Sequence, residues 1–79
     1  MAVYFFHLRG GRIEAHDHEG TELADLAAAR RQAVLNARDI MAEEVKEGRL
    51  PLHERIDVHD GEGLLLFSVP FRSAIDIAD

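Results

Sequence analysis

No cysteine occurs among the 79 residues, so no disulfide can brace the chain. A domain of this size buries only about 60 to 65% of the surface that its unfolded form exposes, and it is marginal without such help. Lysine is nearly absent too. Lys46 is the only one, and the other basic residues are arginines, whose planar fork suits carboxylate pairing at protein contacts. Positive charge as a whole is scarce, with nine Lys and Arg against fifteen Asp and Glu, for a formal net charge of -6. That balance disfavours a phosphate backbone, so no nucleic acid partner is expected. Serine is limited to Ser68 and Ser73, and neither sits in a turn motif that would present a nucleophile. Long apolar runs are missing as well. The opening Met1 to Leu8 is too short to span a bilayer and has neither the cationic lead-in nor the cleavage site of a secretory signal. No membrane partner is expected, and a cytoplasmic location is the simplest one.

What is present suits a folded domain. Hydrophobic residues make up 47% and charged ones 30%, proportions that oppose disorder, and the length corresponds to a single domain over residues 1–79. Residues 3–9, rich in aromatic side chains, read as a strand that ends at the turn signal Gly10-Gly11. Residues 12–16 read as a short polar return strand at a sheet edge, closing in the loop Asp17-His18-Glu19-Gly20. Over residues 25–47 the period becomes helical, with Leu26, Ala29, Ala33, Ala37, Ile40 and Met41 on one side. Asp25 is the expected N-cap, with Thr21 the alternative if the helix begins earlier. Gly48 supplies a left-handed C-cap, and Pro51 forbids resumption. Residues 55–59 alternate as a strand, residues 60–63 make a second turn, and residues 64–71 form the most apolar strand, weakened at Pro70. The tail allows either a final helical turn or an extended segment.

The expected fold is therefore α+β in the order β-β-α-β-β, a four-stranded antiparallel sheet with one long helix packed on one face. The two apolar strands, first and fourth, are expected in the centre of the sheet.

Four blocks carry a resemblance to a known family. They are Tyr4-Phe5-Phe6-His7-Leu8-Arg9; Asp17, Gly20 and Glu22-Leu23 with Asp25-Leu26; Ala27-Ala28-Ala29-Arg30-Arg31-Gln32-Ala33; and Asp60 with Gly63, followed by Val69-Pro70-Phe71. Together they resemble small bacterial proteins, common in alphaproteobacteria, that are classed as a domain of unknown function. That resemblance spans nearly the whole chain and implies no activity, cofactor or catalytic residue. A second likeness covers Asp17 to Met41 and is to the strand-and-helix core of HicB-type antitoxins, which implies a regulatory partner.

Five histidines invite a metal hypothesis, and His16 with His18 would point to one side of a continuing strand. A lasting zinc site needs two or more further ligands, and no spacing supplies them from His7, His53 or His59, so no metal or other cofactor is expected. His7 and His59 share a face with Phe5 and Asp57 if the first and third strands expose the same side. Imidazole beside carboxylate is an acid-base pair in principle, but without a nucleophile the simpler reading is a cross-strand polar pair. No catalytic residue is expected, and the chain is read as a non-enzyme.

One helix covers one face of such a sheet. Alternation then leaves Val3, Phe5, Leu64 and Leu66 on the other face beside His7 and His59, a patch that calls for a partner. The helix, about 33 Å at 1.5 Å per residue, would overhang a strand of about 23 Å, leaving Met41 and Val45 in need of cover and Leu35 outside. Its arginines lie in the first half and its acids in the second, as an antiparallel helix pair across a two-fold axis would require. The expected role is a self-associating protein-interaction domain, a homodimer or a complex with another protein. The runner-up is a small-ligand or metal-binding module that uses the surface histidines.

Overall fold

The computed structural model describes residues 1–12 and 14–78. Ile13, inside the segment expected as the second strand, and Asp79 lie outside them. The described elements are β1 (Ala2–Arg9), β2 (Thr21–Leu23), α1 (Leu26–Lys46), β3 (Arg55–His59), β4 (Leu65–Pro70) and a closing 3-10 turn (Phe71–Ala74). All three strand pairings are antiparallel, and the order across the sheet is β2-β1-β3-β4. The β-β-α-β-β arrangement with one helix on the sheet stands as the sequence implies.

α1 begins where Asp25, with an extended backbone, accepts the amide of Ala28 at 2.8 Å, so the first turn has its cap. It ends in a Schellman motif. Gly48, at φ 83°, donates to Val45, and Arg49 donates to Glu44, which satisfies the last carbonyls. Ala29, Ala33, Ala37 and Met41, four residues apart, form the buried stripe. Methyl-sized side chains let the helix lie close to Tyr4, Ile56, Val58 and Val69 on the sheet. Phe71 and Ala74 in the 3-10 turn complete this core, and the Arg38 side chain fastens the turn to the helix by donating to the Ala74 carbonyl at 2.7 Å. The tail thus takes the helical of the two forms open to it, beginning directly after Pro70.

Three expectations need correction. Residues 12–16 are not the second strand: among the described residues of that segment only Ala15 pairs, in an isolated bridge with Leu8, and β2 lies after the loop instead. The reason is Asp17, whose carboxylate takes the Phe6 amide at 3.1 Å, so a side chain rather than a strand fills the edge of β1 between the bridge and β2. The apolar strands are not both central. β3 lies between β1 and β4, and β4 is an edge. Finally, the β3–β4 register shifts between Val58 and His59, so that Val58 faces Phe67 while His59 faces Leu65. Leu66 is the extra residue of this bulge and packs against the core, whereas Leu65 is 51% exposed, the reverse of simple alternation.

Candidate functional site

The face of the sheet turned away from α1 carries the polar chemistry. Register sets His7 beside Asp57, Phe5 beside His59, and Asp57 beside Ser68. The Asp57 carboxylate accepts the Ser68 hydroxyl at 2.6 Å and the Arg55 guanidinium at 2.9 Å. Burial alone would raise its pKa, but these two bonds prevail and hold it below the usual carboxylate range. Ser68 therefore donates a hydrogen bond to a carboxylate that stays ionised and, with its pKa held down, is a weak base.

His7 is 4% exposed and sits beneath the loop. Its Nδ1 accepts the Asp17 amide at 3.0 Å, which makes Nε2 the protonated nitrogen of the neutral ring. Burial lowers its pKa first, and the neighbouring His16, His59 and Arg9 lower it further against the pull of Asp17. His16 stacks on it with ring centroids 4.0 Å apart and planes 15° from parallel. The His59 ring centroid lies 4.8 Å from that of His7, and that of His18 is 4.7 Å from His16. Four imidazoles thus run in contact from the loop to β3 along an open cleft of about 370 Å³ that Asp17, Asp60 and Arg9 also line. The Nδ1 of His59 is buried there without a hydrogen-bond partner.

Asp17 organises the cover. One oxygen takes the amide of Phe6, and the other takes those of Glu19 and Gly20. Burial pushes its pKa up, but the three amides outweigh this and hold it below its ordinary value. Gly20, at φ 74°, presses onto the sheet face, because a Cβ placed there would lie 2.6 Å from Val3 and 3.0 Å from the Phe5 ring. The loop therefore shields part of the patch that alternation left bare, a cover that strand patterning alone does not reveal. The readable signal was the Asp-x-x-Gly spacing, suited to a carboxylate that folds back on its own turn.

Of the residues expected on a contact surface, Val3, Leu35, Val45 and Leu64 are exposed, Phe5 and His59 are half-buried, and His7, Met41 and Leu66 belong to the interior or its margin. Met41 needs no outside cover, because it closes the end of the buried stripe at 4% exposure. His16 and His18 do come together. Even so, no group of three or more His, Asp or Glu side chains among the described residues is arranged to hold a metal ion. His53 lines a separate cleft with Leu8, Arg12 and Glu44. No described helix is long and apolar enough to cross a membrane.

The family model described as Domain of unknown function (DUF6894) matches residues 3–72. The chain belongs to that family. The matched span takes in β1 from Val3, the other three described strands, the helix, the Asp17 loop and the histidines of the cleft, so the cleft lies inside the DUF6894 domain. No curated protein and no solved structure matches the chain.

Proposed function

We propose that this DUF6894 domain is a non-enzymatic, cytoplasmic interaction module that pairs with a second copy of itself along the β4 edge. The carrying observation is the character of that edge: residues 64–71 contain no charged side chain, and β4 has a neighbour on one side only. Edge strands are ordinarily protected by charge, by covering elements or by shortness, because their free amides and carbonyls are a template for another strand. β4 has six residues, and the only device of this kind within it is the missing donor of Pro70 at its end. Leu64, just before the strand, and Leu65, its first residue, are 62% and 51% exposed.

A strand of this kind complements itself. Antiparallel pairing about a two-fold axis at Ser68 sets Leu66 of one copy opposite Pro70 of the other, within the span of the strand. The helix offers less, since two of its arginines are used within the chain. Arg30 lies 4.4 Å over the Phe67 ring, and Arg38 holds Ala74.

Sedimentation equilibrium tests the reading. A contact this small belongs with weak interfaces, so a dimer dissociating at about micromolar concentration is expected. Raising the salt should strengthen it, because two copies of net charge -6 repel each other. Leu64→Lys places a charge on the edge and should return the protein to monomer without loss of fold. A wild-type chain that stays monomeric at tens of micromolar in high salt refutes the proposal.

A further inference from the structure

The histidine cleft points to a device separate from the β4 edge. We propose that His7 is an acid-operated latch: protonation at Nδ1 expels the Asp17 amide and frees the segment from Ala15 to Gly20, uncovering Val3, Phe5 and the edge of β1.

The geometry leaves His7 little room for a second proton. Its Nδ1 lone pair is taken by the Asp17 N–H at 3.0 Å, and an imidazolium would turn donor against donor at that contact. The groups around it are mostly cationic or able to become so. Arg9 lies on its own strand, His16 stacks on it with His18 behind, and His59 faces it from β3. Carboxylates are present but committed. Asp57, its cross-strand neighbour, is tied to Arg55 and Ser68; Asp17 spends its oxygens on three amides; Asp60, on the cleft wall, accepts the amides of Glu62 and Leu64.

What the latch holds is small and local. The segment is fixed by the Leu8–Ala15 bridge, by the carboxylate of Asp17 and by the seating of Gly20 on Val3 and Phe5. Helix and core do not depend on it, since α1 packs on the opposite face. The sign follows from burial. Latched His7 holds a proton less readily than a free imidazole, whose ordinary value is 6.5, so the open form takes up the proton first. The stability of the latch is therefore fully present above pH 6.5 and declines as the pH falls from there toward the depressed value of the latched ring. Asp17, itself held below the usual carboxylate range, stays ionised through that window.

The test is a pH titration of the isotope-labelled chain from 7.5 to 5 by NMR, reading amide exchange together with imidazole nitrogen shifts. At the upper end His7 should show a bare Nδ1. On acidification the amides of Phe6, Asp17 and Gly20 should lose at least tenfold of their protection with the same midpoint as the His7 ring, while those of β3 and the middle of α1 keep theirs. His7→Asn, whose amide oxygen can replace Nδ1 as an acceptor but cannot be protonated, should abolish the response. The proposal is overturned by protection that persists after His7 is protonated, by simultaneous loss in β3 and α1, or by an unchanged response in His7→Asn. Should that variant fail to fold, a mismatch between the His7 and loop midpoints in the wild-type chain overturns it alone.

Discussion

A carboxylate can accept several hydrogen bonds at once, and Asp17 spends that capacity on the backbone amides of Phe6, Glu19 and Gly20. Removing it leaves the Phe6 amide without a partner at the sheet edge and loosens the turn beneath. Asp17→Ala should therefore cost about 2–3 kcal/mol, the scale of charge-assisted bonds lost from a partly buried site. Gly20→Ala attacks the same turn through sterics. The residue has φ 74°, and a Cβ would lie 2.6 Å from Val3, so backbone strain and overlap add to more than about 2 kcal/mol. Because both changes release one loop, the double variant should cost less than the sum. Urea unfolding of the three variants checks this, and strict additivity would mean that Asp17 and Gly20 hold separate structures.

Elements obey simpler rules than the contacts between them, and the helix illustrates this. Its apolar spacing, the Asp25 cap and the Gly48 stop placed it at 25–47, against Leu26–Lys46 in the structure. Gly48 also isolates one physical term: nothing lies within 4 Å of where its Cβ would stand, so Gly48→Ala measures left-handed strain alone, about 1 kcal/mol in thermal or urea unfolding. The strands were legible where period and turn agreed, as at 55–59 and in the turn opened by Asp60. They were misread where a local signal was strong but a side chain overrode it. Gly10-Gly11 looks like a hairpin turn, and Leu8 does meet Ala15, yet Asp17 claims the next amide and moves the pairing on to Thr21–Leu23. A bulge at Leu66 is invisible to two-residue periodicity, because the run Leu64-Leu65-Leu66 satisfies either phase. The histidine cleft was half-legible. His7 and His59 share a face as alternation implies, but the stacking of His16 on His7 depends on the folded loop.

At the scale of the molecule, apolar content proved a poor guide to position in the sheet. The strand with the least charge was expected in the middle and lies at the margin, and the polar Asp57 of β3 is buried between two neighbours. Net charge, smallness and that uncharged edge all bear on a second copy, whose absence or presence is a question of concentration and salt. The order β2-β1-β3-β4 also has a consequence in time. β1 comes before every other described element, yet its longest pairing is with β3, some fifty positions later, as in Phe5 with His59. A chain stopped at Glu54 should thus show the circular dichroism of a coil, since α1 alone has no surface to bury its alanines, whereas one reaching Ile75 should fold. On the ribosome the Tyr4-Phe5-Phe6 run would emerge some fifty residues ahead of its β3 partners and wait for them uncovered. A chain at that stage bares the kind of apolar surface that holding chaperones bind.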